Sequence, residues 1–161
     1  MPEARHGRGM SAPGRVTHLF RSQGHRKPLL PLEGARWVAG VGAEGEPKSV
    51  RGKRRQLLAV DSETLAAEGL GPADLRAQVV LEGVLVDQLP EGTLLRIGGA
   101  VVAVGHECTP CHRMDELKPG LQERLKRRRG RFLRVLEGGK VRVGDAVRPT
   151  PSVGQRLLGS E

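Results

Sequence analysis

The sequence predicts a mainly β, barrel-like domain with one or two short helices, and three observations predict it. Its apolar runs are short and rich in Val and Leu, the length and make-up of strands. Glycine-rich breaks separate them, with 23 glycines and 11 prolines among 161 residues. Two pairs of these runs flank a Gly-Gly step, the pattern of a hairpin. A chain of many short strands removes its exposed edges by closing into a barrel.

Residues 1–13 read as a leader and residues 150–161 as a tail, which leaves 14–149 as one β domain. The leader has no apolar stretch of the kind a signal peptide needs, and Met10 is a second candidate start. Residues 16–21 alternate like a first strand. Residues 22–31 form a basic loop, and residues 35–41 a second strand. Residues 48–55 are a dense basic loop, and Gln56-Leu57-Leu58-Ala59-Val60 is a short apolar strand. Asp61 or Ser62 caps a helix through residues 64–67 that Gly69 ends. Residues 72–75 make a turn, and strands follow at 78–81 and 84–86.

Residues 93–97 and 100–104 flank Gly98-Gly99 as a first hairpin. Leu117, Leu121 and Leu125 recur at helical spacing, which predicts a helix over 117–126. Residues 132–136 and 140–143 predict a second hairpin about Gly138-Gly139, and 146–148 a last strand.

The formal net charge is +9, which favours an anionic partner such as a phosphorylated cofactor, an oxyanion or nucleic acid. The aromatics are Phe20, Trp37 and Phe132 alone, with no Tyr. That scarcity argues against single-stranded nucleic acid, which needs stacking platforms. No run is long and apolar enough to span a bilayer, so no membrane partner is expected. The expected compartment is the cytoplasm, where thiols stay reduced.

Chemistry concentrates in His106-Glu107-Cys108-Thr109-Pro110-Cys111-His112, which holds both cysteines and follows the apolar run 100–104. Reactive groups at the end of a stiff strand are held in place more tightly than on a free loop. Cys108 to His112 fits the C-x-x-C-H haem attachment pattern, but a β context lacks the helices and the second axial ligand of a small c-type cytochrome. Zinc suits the ligand types, yet seven consecutive residues make a poor tetrahedral cage. A working thiolate at Cys111 behind Pro110 is the third chemistry. Two inert, half-buried cysteines are the bland alternative. The basic runs at 51–55 and 126–131 read mostly as solvated loop charge, or as a positive rim for an anionic ligand.

Taken in order, several motifs resemble those of the MOSC domain, the C-terminal domain type of molybdenum-cofactor sulfurases. Gly42-Ala43-Glu44-Gly45-Glu46 is similar to its G-x-E-G-D element. Arg55-Gln56-Leu57-Leu58 with Asp61-Ser62-Glu63 resembles its strand-then-helix segment. Pro90-Glu91-Gly92 through Ile97-Gly98, the pair Pro110-Cys111, and the closing stretch from Gly130 to Asp145 follow in the family's sequence. The family often has a His and Gly-Gly-Pro where Pro47-Lys48-Ser49-Val50 stands, and G-E-N where Arg76-Ala77-Gln78 stands.

The resemblance implies a barrel-like domain whose cysteine carries sulfur as a persulfide or ligates molybdenum in a bound pterin cofactor (molybdopterin). The family also has an association with pyridoxal phosphate. On this reading Cys111 is the carrier or the metal ligand, and Cys108 the resolving thiol. Arg55, Gln78, His106, His112 and Arg113 are the cofactor-binding shell. The partners implied are the anionic pterin or a sulfur-donor protein. A small basic module for nucleic acid or another anion, with incidental cysteines, is the second reading.

Overall fold

The computed structural model describes residues 13–46 and 56–151. Eleven strands are present among them: β1 Gly14–Arg21, β2 Leu30–Leu32, β3 Gly34–Val38, β4 Gly42–Ala43, β5 Leu57–Asp61, β6 Val79–Glu82, β7 Leu94–Ile97, β8 Ala100–Glu107, β9 Arg131–Glu137, β10 Gly139–Arg142 and β11 Ala146–Pro149. Three short helices join them: α1 Ser62–Ala67, α2 Met114–Leu117 and α3 Leu121–Arg124.

Seven strands close a barrel in the order β1, β6, β5, β9, β8, β7, β11, with β11 returning to β1 through Gly14–Val147 and Arg15–Ala146. β2 adds to the outside edge of β1, and β10, β3 and β4 form a separate small sheet. Every barrel pairing is antiparallel except β5 with β6. That parallel pair requires a crossover, which α1 supplies. Asp61 starts the helix: its carboxylate accepts from the Thr64 N–H at 2.8 Å, as the sequence predicts.

Two cores explain the strand patterns. Leu57, Ala59, Val79, Leu81, Val102, Val104, Leu133 and Val135 face the barrel interior, joined by Trp37 and Val141 from the small sheet. Leu58, Val60 and Val80 point outward from β5 and β6, into a second core with Leu65, Leu75, Met114, Leu121 and Leu125. β5 is therefore buried on both faces, and its residues read as a continuous apolar run because a covered parallel pair has no wet side.

Four sequence expectations are corrected. The second hairpin does not form: β10 pairs with β3, while β9 pairs with β5 and β8. Gly138 and Gly139 serve close backbone approach instead, since a Cβ on Gly139 would clash with the Gly99 carbonyl. The predicted helix over 117–126 is two, because Pro119 follows an extended Lys118 and Gly120 adopts φ +81°. The expected strand at 84–86 is irregular chain running into a 3-10 turn at Val86–Gln88, and the basic loop 22–31 contributes its last residues to β2.

Candidate functional site

β8 leaves the barrel through an irregularity. Its register against β9 shifts between Val104 and Glu107, so the backbone bends at Gly105 and His106. Arg131 holds that bend. Its Nε and Nη2 donate to the Gly105 carbonyl at 3.0 and 2.6 Å, and its Nη1 donates to the Leu89 carbonyl at 2.8 Å. Just beyond, the Cys108 N–H donates to the Gly130 carbonyl at 2.9 Å, which fixes the first thiol against the loop entering β9.

The chain then turns. The Met114 N–H donates to the Cys111 carbonyl at 2.9 Å and the Asp115 N–H to the His112 carbonyl at 3.0 Å. Buried Met114 anchors this turn in the outer core, and Pro110 is buried as well. Cys111 is thereby presented to solvent at the apex, while Cys108 is half-buried against the outer core; neither is in a disulfide. The placement of Cys111 suits a sulfur that must be reached.

Arg129 is the residue that sequence reasoning missed. It sits in a basic run that reads as solvated charge, yet it is only 8% exposed, and Arg131 only 6%. Its Nη1 has no hydrogen-bond partner among the described residues. Burial pulls the guanidinium below its ordinary value, and the charges of Cys108, Cys111 and Asp87, in that order, push it back. The guanidinium therefore lies within electrostatic reach of both thiols. Within β9 burial alternates from Arg131 through Leu133 to Val135, and Arg129 lies just before that strand, buried by the fold and not by any pattern in its own run.

Asp87 completes the group. Its carboxylate accepts from the Gly130 N–H at 3.3 Å. Burial pushes its pKa up to about 6 from 3.8, with the Gly130 hydrogen bond acting against that shift. Farther out, Glu68 joins Arg124 at 2.9 Å and Arg128 at 3.1 Å, so its carboxyl lies below the ordinary range, chiefly through the Arg124 hydrogen bond. Arg128 is thus also more than loop charge.

The other expected residues divide. His106 is half-buried and stacks on Phe132 with ring centroids 4.8 Å apart. His112 is exposed and Arg113 half-buried, immediately after Cys111 and before α2. Gln78 is elsewhere, between β5 and the loop after β4. Its Oε1 accepts from the Leu58 N–H at 2.7 Å, and its Nε2 donates to buried Glu46 at 3.3 Å. Glu46 in turn accepts from the Ser22 N–H at 2.7 Å. The amide thus bonds within the fold. Arg55 lies outside the described residues. Among the described residues no group of three or more His, Cys, Asp or Glu converges as a metal cage.

The sequence matches the model of the MOSC domain over residues 47–148. The fold is shared with the YuaD protein from Bacillus subtilis at 20% identity, covering 88% of this chain and 98% of that one, with a TM-score of 0.69. It is shared with YiiM from Escherichia coli at 15% identity, 86% and 71% coverage and a TM-score of 0.64. YiiM from Geobacillus stearothermophilus gives 17%, 86% and 76%, and 0.66. No curated protein matches the sequence.

Proposed function

This chain belongs to the MOSC domain family, which is associated with molybdenum-cofactor-related functions, and on that premise we propose that Cys111 is its sulfur-handling residue. The observation that carries the reading is the pairing of an exposed thiol at a turn apex with an enclosed cation within electrostatic reach. A thiolate is the nucleophile that takes up sulfane sulfur. In the loading step the Cys111 thiolate attacks the outer sulfur of a donor persulfide, R–S–SH. The Cys111–sulfur bond forms, the donor's S–S bond breaks, and the donor leaves as its thiolate. The donor would be a sulfur-carrying protein or a small persulfide.

The same thiol fits molybdenum by softness, and Cys111 is the residue that would ligate it. When bound, the molybdenum cofactor would supply two-electron redox chemistry beside the turn. Cys111 would hold the metal, and Met114 and Pro110 would hold Cys111. Gln78 already bonds to Leu58 and Glu46, which weights the reading toward sulfur carriage.

The test is to offer a small persulfide to wild type and to Cys111→Ser, and to read protein-bound sulfane sulfur by cyanolysis and molybdenum by elemental analysis. Loading of wild type alone supports the reading. Equal loading of both proteins removes it.

A further inference from the structure

Arg129 lies within electrostatic reach of the loading thiol, and its surroundings suggest a second role in discharge. Its Nη1 is sealed from water without a hydrogen-bond partner among the described residues, so a diffusing anion cannot reach it. What it does meet is built into the protein. Cys108 is fixed by its N–H to the carbonyl of Gly130, the residue next to Arg129, and the charges of both Cys108 and Cys111 reach the guanidinium. The charge of Asp87 also reaches the guanidinium, and Asp87 in turn is influenced by the charges of Asp61, Arg131 and Glu107. A buried cation costs free energy unless something negative forms beside it. Besides Asp87, the groups able to become negative there are two thiols three residues apart, one exposed and one half-buried.

We infer that Cys108, Cys111 and Arg129 form a discharge unit that releases the carried sulfur as hydrosulfide and ends as an intramolecular disulfide. This rests on the sulfur-carrier reading of Cys111. The Cys108 thiolate attacks the inner sulfur of the Cys111 persulfide. The Cys108–Cys111 bond forms, the persulfide S–S bond breaks, and HS⁻ leaves with the electron pair. The sulfane sulfur is reduced and the two cysteines are oxidised. A dithiol reductant then returns the pair to thiols. Arg129 is a positioning residue: its charge favours the Cys108 thiolate and the departing anion, in a site whose low polarity strengthens both effects.

The experiment loads wild type, Cys108→Ser, Arg129→Met and Arg129→Lys with a small persulfide, removes the excess, and follows sulfide release and thiol count without reductant. Far-ultraviolet circular dichroism checks the fold of each variant. The expected result is one sulfide released by wild type for each disulfide closed, and persistent persulfide in Cys108→Ser. Arg129→Met should release sulfide about tenfold more slowly, with the release profile moved to higher pH, and Arg129→Lys should recover much of that loss. Release by Cys108→Ser at the wild-type rate, or release without a disulfide, overturns the discharge unit while leaving Cys111 as carrier. An unchanged rate and pH profile in folded Arg129→Met overturns the part given to Arg129. Failure of wild type to load at all overturns the carrier reading and this inference together.

Discussion

Cys108 and Gly130 are joined backbone to backbone, N–H to carbonyl at 2.9 Å, and this bond holds the thiol turn against the loop that buries Arg129. Gly130 has no freedom to become anything larger. Its φ is +117°, and an added Cβ would stand 2.7 Å from the Ala59 carbonyl and 2.9 Å from Val60 Cγ1. Gly130→Ala should therefore lose about 2–4 kcal/mol of stability, read as a lower urea midpoint at unchanged slope. A midpoint equal to wild type would show that the contact is not tight.

Asp61 does two jobs with one carboxylate. Oδ1 caps α1 at Thr64 N, and Oδ2 accepts from the Val86 N–H at 3.1 Å, at a site 2% exposed. Asp61→Ala strands two N–H groups and should cost about 2–4 kcal/mol. Asp61→Asn keeps one acceptor and should cost about half as much. Equal losses in the two variants on denaturant titration would refute the division of labour.

The two Gly-Gly steps of the sequence meet each other in space. The Gly99 N–H donates to the Lys140 carbonyl at 2.9 Å, and a Cβ on Gly139 would press on the Gly99 backbone. Gly139→Ala should lower the melting temperature by several degrees, on the order of 2 kcal/mol or more, while Ala at Gly92, where nothing lies within 4 Å, meets no clash. Gly92 still has φ +93°, so its substitution should carry the smaller cost of backbone strain alone. The order of the two losses is the measurement.

Asp87 should give stability a pH signature. Its carboxyl sits at about 6 in the fold against 3.8 ordinarily, so folding favours the protonated form. Between those values the folded chain holds more protons than the unfolded one, and stability falls as pH rises. Asp87→Asn keeps the acceptor for the Gly130 N–H and cannot ionise. It should match wild type near pH 4 and exceed it near pH 8, by about 1 kcal/mol once partial solvent screening is allowed for. Parallel melting curves across that range would contradict the shift.

Much of the barrel was legible because its strands announce themselves locally. The β7–β8 hairpin turns at Gly98, φ +55°, and pairs Leu94 with Ala103 as the Gly-Gly step predicts. Gly138 and Gly139 carry the same letters without the same job, since close packing against Trp37 and Gly99, rather than a turn, requires them. The leucine spacing at 117, 121 and 125 spans two helices, with Leu121 and Leu125 buried and Leu117 41% exposed. Pairing choices between distant strands, and hence the burial of Arg129, belong to topology that no local window contains. The exposure of Cys111 was legible because a turn after a strand exposes its apex. The backbone bond of Gln78 was not legible, because an amide beside a strand serves the backbone as readily as a ligand.

The carrier claim comes down to one sulfur at one position. Intact mass spectrometry of wild type and Cys111→Ser after exposure to a small persulfide reads it directly. Because Cys111 is exposed and outside both cores, the variant should fold with stability within about 0.5 kcal/mol of wild type. The account predicts that wild type, read before it discharges, gains the mass of one sulfur atom and the variant gains none. A folded Cys111→Ser protein that gains the same sulfur as wild type would contradict it.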